Sequence, residues 1–162
     1  MIVVDTNVVA DLRTPGNYTP SAESLLAADT DWAAPRLWRS ELDDVVAACV
    51  RNQPIEAADA TVLRQRAAAL IGTEASDVET MDVLRLAKGS GCSGYDCECI
   101  ALADFLDVKL VTTDAELVRA FPARARLVSA DALGAGGGAR HRASRCAWRA
   151  RNQTLKSDGQ KR

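Results

Sequence analysis

The chain has 162 residues, 48% of them apolar, enough to bury one hydrophobic core without disulfide staples. Its net charge of −2 conceals an asymmetry: residues 1–138 hold 12 basic and 21 acidic side chains, a balance of −9, whereas residues 139–162 hold eight basic and one acidic, a balance of +7. No apolar run is long enough for a membrane-spanning helix, and the start lacks the basic and apolar regions of a secretory signal, so a cytoplasmic protein is expected.

In chain order, Ile2-Val3-Val4 is a β-branched run that fits a buried parallel strand. Asp5-Thr6-Asn7 follows, rich in helix-capping side chains, and Val8, Val9 and Leu12 outline a short helix that Pro15-Gly16-Asn17 ends. Thr19 with Pro20 predicts a second helix start, Thr19 as its cap. Trp32 to Pro35 reads as a short strand. The spacing of Leu42, Val45, Val46 and Cys49 predicts a helix over about 37–51. Pro54 begins another, with Gly72 as its stop. Ser76 and Glu79 have the spacing of a capping box for a helix carrying Val78, Met81, Leu84 and Leu86. Gly89-Ser90-Gly91 ends it. Tyr95 to Leu106 forms the next helix, Val108 to Val111 a strand, Ala115 to Phe121 a short helix, and Leu127-Val128 the last strand.

Strands alternating with helices imply an α/β fold, with a short parallel β-sheet flanked by helices on both faces. The organisation expected is a folded domain over 1–133. A glycine-rich linker and a basic, disordered tail over 134–162 follow, because that stretch nearly lacks large aliphatic residues.

The five cysteines, Cys49, Cys92, Cys97, Cys99 and Cys146, are odd in number and irregular in spacing, which is a poor disulfide framework. They lack the C-x-x-C pairs of structural zinc sites, and the single histidine, His141, lies in the tail. Ordinary buried thiols are expected. With no histidine before the tail, Ser-His-Asp and Cys-His nucleophile systems have no base, and neither a P-loop nor a G-x-S-x-G elbow is present.

Four acids sit where such a sheet gathers chemistry. Asp5 ends the first strand and Asp114 a later one, while Glu41 and Asp96 lie in the opening turns of helices. Sites in open α/β sheets lie beyond the carboxyl ends of the strands, so all four point to one rim. Asp96 is three, four and seven residues from Cys99, Ile100 and Ala103 and shares their inward face, whereas Glu98 is expected to point away. Crowded carboxylates raise one another's pKa unless a cation intervenes, and an all-oxygen set suits Mg²⁺ or Mn²⁺, which can activate water at a phosphodiester. Each acid also has a plainer reading. Asp5 and Asp114 could cap helices, Asp96 could be a favourable charge at a helix start, and Glu41, with Asp43 and Asp44, could belong to a solvated face.

The pattern resembles the PIN-domain family. Ile2-Val3-Val4-Asp5-Thr6-Asn7 is similar to the opening of these proteins, and Trp38-Arg39-Ser40-Glu41-Leu42 to their second motif. Tyr95-Asp96 through Ala101-Leu102-Ala103, then Leu110-Val111-Thr112-Thr113-Asp114, look like the third and fourth. The arrangement is closest to VapC-type toxins and covers about residues 1–133. Cys97-Glu98-Cys99 departs from the small or aromatic residues more usual there, and the tail has no counterpart in the family. The resemblance implies Mg²⁺- or Mn²⁺-dependent endoribonuclease activity, with Asp5, Glu41, Asp96 and Asp114 as the acidic quartet and Asp5, Asp96 and Asp114 as metal ligands. Thr6, Asn7 and Thr113 take supporting polar positions, hydrogen-bonded so as to orient the acids, and Glu116 is an additional candidate acid. It also implies a homodimer held inactive by a small antitoxin, with RNA as substrate and no membrane. A PIN nuclease of RNA processing or quality control, or an inactive protein that binds an antitoxin or nucleic acid, are the alternatives.

Overall fold

A computed structural model describes residues 1–13, 17–52, 56–71 and 76–128. The chain divides into two units, Met1–Ala132 and Leu133–Arg162. The second lies outside the described residues, and with it the expectations for the linker and tail. The turn at Pro15-Gly16, the helix start at Pro54 and the stop at Gly72 also lie outside them.

Four strands form one parallel sheet: β1 (Ile2–Val4), β2 (Trp32–Ala33), β3 (Leu110–Thr112) and β4 (Ala125–Leu127), in the order β2-β1-β3-β4. In register, Ile2 pairs with Trp32, Val4 with Val111 and Leu110 with Ala125. Among the described residues, seven helices connect and cover the strands: α1 (Thr6–Arg13), α2 (Thr19–Ala28), α3 (Trp38–Asn52), α4 (Ala57–Ile71), α5 (Thr80–Ser90), α6 (Gly94–Phe105) and α7 (Ala115–Ala120). The sheet is therefore flanked by helices on both faces, as the alternating sequence pattern requires.

The period-two geometry of the strands divides the core in two. Ile2, Val4 and Val111 face a cluster with Val8 and Val9 of α1, Leu25 of α2, Leu42 of α3 and Ile71 of α4. Val3 and Leu110, one residue out of step, face the opposite cluster with Ile100 and Leu102 of α6 and Leu117 of α7. Because β1 and β3 are buried on both faces, their sequences are continuous apolar runs rather than alternating ones.

Local signals at helix ends were read unevenly. Gly91 adopts the left-handed conformation (φ 72°) and donates its N–H to the Ala87 carbonyl, which ends α5 as the glycine cluster led us to expect. Thr19 is not a cap. It is the first residue of α2, and its hydroxyl donates to the Asp11 carbonyl at 2.8 Å. The capping box expected from Ser76 does not form either, since α5 begins after Glu79 with no side-chain cap bond. Ser76 instead bridges Pro35 in parallel and accepts from the Arg36 N–H at 3.2 Å. This pairing seals the approach to α5 against the loop between β2 and α3. Among the described residues no helix is long and apolar enough to cross a membrane.

Candidate active site

The connections fix where a site must lie. From β1 the chain crosses to β2 on one side, while β3 and β4 lie on the other, so the strand order reverses between β1 and β3. The crevice beyond the carboxyl ends of those two strands is where open parallel sheets bind ligands. Asp5 leaves β1 there, and Thr112-Thr113-Asp114 leaves β3.

Asp5 is 7% exposed, and both of its carboxylate oxygens are engaged. Oδ1 accepts the Val8 N–H at 3.0 Å, the bond of a cap to the third residue of α1. Oδ2 accepts from the hydroxyl of Thr112, which is fully buried. That hydroxyl in turn accepts the Asp114 N–H at 2.9 Å. Thr112 thus joins the two strand-end acids through one oxygen atom. The hydroxyl that supports the acids is that of Thr112, not that of Thr113 as the family resemblance implies. Thr113 is buried but makes no side-chain hydrogen bond among the described residues.

Glu41 stands in the first turn of α3, half-buried, and its Oε2 accepts from the Thr6 hydroxyl at 2.6 Å. Because Thr6 follows Asp5, this bond draws Glu41 toward the end of β1. Asn7 is half-buried in the opening turn of α1 and makes no side-chain hydrogen bond among the described residues. Asp96 is the third residue of α6 and completes a capping box. Its Oδ2 accepts from the Ser93 hydroxyl at 2.7 Å, while the Ser93 Oγ accepts the Asp96 N–H at 3.2 Å. Ser93 was not singled out from the sequence, although S-x-x-D is a capping-box spacing. Asp114 caps α7, its Oδ1 accepting the Glu116 N–H at 2.9 Å, and the Glu116 side chain is exposed.

One buried atom reports how these acids are placed. The thiol of Cys99 is held well above its ordinary pKa first by burial and then by the negative charges of Asp5, Glu41, Asp96 and Glu98. Carboxylates from the end of β1, from α3 and from α6 therefore all act on this one buried thiol. Glu98 lies on the face of α6 away from Asp96 and is half-buried there, and burial raises its carboxyl pKa. The segment 76–78 lies over that flank of α6, and with α3 it forms a groove of about 340 Å³ that Glu98 and Ser40 line. Asp114 is linked to Asp5 through the Thr112 hydroxyl, which donates to Asp5 and accepts the Asp114 N–H.

Among the described residues, no three His, Cys, Asp or Glu side chains gather closely enough to form a metal cage. The donor chemistry still fits a hard cation in the manner of Mg²⁺, which takes one or two carboxylates and keeps several of its waters. Asp5 and Asp96 could serve in that way, with Glu41 near.

No family model matches the chain, and no curated protein matches it in sequence. Solved structures do match in fold. PAE2754 from Pyrobaculum aerophilum is similar with a TM-score of 0.62 at 20% identity, over 78% of this chain and 90% of that one. A toxin–antitoxin complex from Klebsiella pneumoniae is similar with a TM-score of 0.60 at 16% identity, over 80% and 98%. FitAcB from Neisseria gonorrhoeae is similar with a TM-score of 0.59 at 19% identity, over 82% and 100%. What is shared at these identities is the fold, a short parallel sheet flanked by helices, which is the α/β arrangement expected from the sequence.

Proposed function

We propose that the chain is a metal-dependent endoribonuclease acting as the toxin of a toxin–antitoxin pair. The observation that carries this reading is that Asp5 and Asp114 leave β1 and β3 at the sheet's switch point joined through the Thr112 hydroxyl, while the Thr6 hydroxyl holds Glu41 of α3 at the same strand end. Helix capping accounts for the place of each acid singly, whereas crowding like charges at one strand end is unfavourable without a cation between them. A Mg²⁺ or Mn²⁺ ion held by Asp5 and Asp96 and keeping several of its waters would supply an activated water and charge neutralisation at a scissile phosphodiester, with Asp114 tied to Asp5 through Thr112. The protein's own part is positioning. Thr112 and the Val8 N–H fix both oxygens of Asp5, Thr6 fixes Glu41, and Ser93 fixes Asp96, so that the carboxylates need not reorganise when a phosphate arrives.

The structural likeness to a toxin–antitoxin complex supports a small antitoxin as partner. An arginine-bearing segment would suit the acidic rim, since a guanidinium can bind two carboxylate oxygens at once. The homodimer belongs to the same reading. α5 and α6 form an antiparallel hairpin whose far end exposes Met81, Leu84 and Phe105, the last 82% accessible, and these fit contact with a second copy.

The test is cleavage of single-stranded RNA by the purified full chain with Mg²⁺, with Mn²⁺ and with chelator. Asp5→Asn and Asp96→Asn should each lower the metal-dependent rate by at least about 100-fold, beyond what losing a supporting contact costs. An unchanged rate in either variant, or in chelator, would remove those residues or the metal from the chemistry. No RNA cleavage by the wild-type chain would leave only a binding role.

A further inference from the structure

The groove beside the acids has a composition that the proposed cleavage chemistry does not use. It lies between the first turn of α3, the segment 76–78 and the flank of α6. Leu37 and Val78 supply apolar surface, and Ser40 and Glu98 supply a hydroxyl and a carboxyl group. Arg36 and Asp77 also line it, but they spend their charge on each other in a two-point ion pair, Nε to Oδ1 at 2.8 Å and the second nitrogen to Oδ2 at 3.1 Å. The Pro35–Ser76 bridge and the bond from the Arg36 N–H to the Ser76 carbonyl, rather than this exposed ion pair, hold that wall of the groove. The groove borders the first turn of α3, where Ser40 immediately precedes Glu41, and Glu98 lines it from the face of α6 away from Asp96.

We propose that this groove is a base-binding subsite that accepts a guanine next to the scissile phosphate, with Glu98 as the residue that selects it. The inference rests on the ribonuclease reading and names the specificity of that same site. A volume of about 340 Å³ is at the small end for a ligand pocket and suits a single heterocycle rather than a helix or peptide. Single-stranded RNA is read by splaying a base out, packing its faces against side chains and hydrogen-bonding its edge. Leu37 and Val78 offer the packing surface. A carboxylate offers acceptors only. Of the four bases, guanine alone presents two adjacent N–H donors, N1–H and the 2-amino group, on its Watson–Crick edge, so it can satisfy both carboxylate oxygens at once. Adenine and cytosine present one amino group each beside an acceptor that faces the carboxylate unfavourably, and uracil presents one N–H between two acceptors. A half-buried carboxylate left without donors would oppose those three bases.

The experiment measures fluorescence anisotropy of labelled single-stranded six-mers with the full chain in chelator, so that nothing is cut. An all-uridine strand is compared with strands carrying one guanosine or one inosine, which lacks the 2-amino group. Guanosine should tighten binding by about tenfold, within the range of a good two-point base contact, and inosine should forfeit most of that gain. Glu98→Gln should abolish the preference, because an amide turns one acceptor into a donor, and Val78→Trp should abolish it by filling the groove. Thermal melting of each variant establishes that it is folded; should Val78→Trp not fold, the inosine and Glu98→Gln comparisons decide alone. Equal binding of all strands by the wild type, or a guanosine preference that survives Glu98→Gln, overturns the proposal. Cleavage is followed separately with Mg²⁺. Guanosine preference without any cleavage would sink the nuclease reading while the subsite stands, and cleavage without base preference would do the reverse.

Discussion

Replacing Thr112 by valine tests how the strand-end acids are held. The substitution keeps the β-branched shape inside a fully buried β3 position and deletes only the hydroxyl oxygen. Two hydrogen bonds go with it: the one donated to Asp5 Oδ2 and the one accepted from the Asp114 N–H at 2.9 Å. A buried hydrogen bond to a carboxylate contributes about 1.5–3 kcal/mol, and a backbone N–H that loses its acceptor adds about 1 kcal/mol. The expected loss is thus about 2–4 kcal/mol. For a chain of this size that lowers Tm by roughly 6–15 °C, measured by circular dichroism or calorimetry. RNA cleavage should fall about 10–100-fold, since Asp5 and Asp114 lose their common tether. Thr112→Ser should recover most of the activity, and Thr113→Val, which removes a hydroxyl without a side-chain hydrogen bond among the described residues, should leave cleavage close to wild type. A Thr112→Val protein that melts within about 0.5 kcal/mol of wild type and cuts RNA at the same rate would refute the tether.

Other outcomes follow from separate features. Cys99 is buried with its thiol pKa raised well above 9.0, so the unfolded thiol ionises first as pH rises and stability should decline above about pH 9. Cys99→Ala should flatten that alkaline decline in denaturant melts, and an unchanged slope would assign it to other groups. Alkylating reagents at neutral pH should modify half-buried Cys92 well before Cys99 in the folded chain, read by mass spectrometry. Phe105→Glu at the exposed end of the α5–α6 hairpin should shift the chain from dimer to monomer in light scattering without lowering Tm; a dimer that persists would place the contact elsewhere.

The fold was legible because its signals are physical and local. Ile2-Val3-Val4 and Leu110-Val111 could only be buried on both faces, and that demands a parallel sheet with helices on each side. The acids were legible because they follow directly on strands or open helices, where topology alone fixes position. What the sequence concealed depended on contacts between distant segments. Thr112 and Thr113 look equivalent in sequence, yet one residue of register along a strand reverses the side chain's face, and it is Thr112 that reaches Asp5. Ser76 fits a capping box by spacing, but the loop at Pro35 offers it a sheet-like partner 41 residues away in sequence. Glu98 falls on the outer face of α6 by helical periodicity, and segment 76–78 turns that face into a groove wall.

Capping and chemistry were rival readings of these acids in the sequence, and the structure makes them one arrangement. Asp5 caps α1, Asp96 completes the capping box of α6, and Asp114 caps α7. A helix N-terminus offers backbone N–H groups and a partial positive charge, which together favour an ionised carboxylate by about 0.3–1 kcal/mol and fix its orientation. Each of these three carboxylates is therefore oriented by the helix start at which it sits. This separates two kinds of substitution at Asp114. Asparagine keeps the acceptor oxygen and caps as well as aspartate, whereas alanine removes the cap at a cost of about 1 kcal/mol. Asp114→Asn should therefore melt within error of wild type and lose RNA cleavage. Asp114→Ala should lose cleavage to a similar extent and also melt about 2–4 °C lower. If Asp114→Asn is destabilised as much as Asp114→Ala, the charge rather than the cap holds α7. If Asp114→Asn cleaves RNA at the wild-type rate, its carboxylate is a cap and nothing more, and the reactive set contracts to Asp5, Glu41 and Asp96.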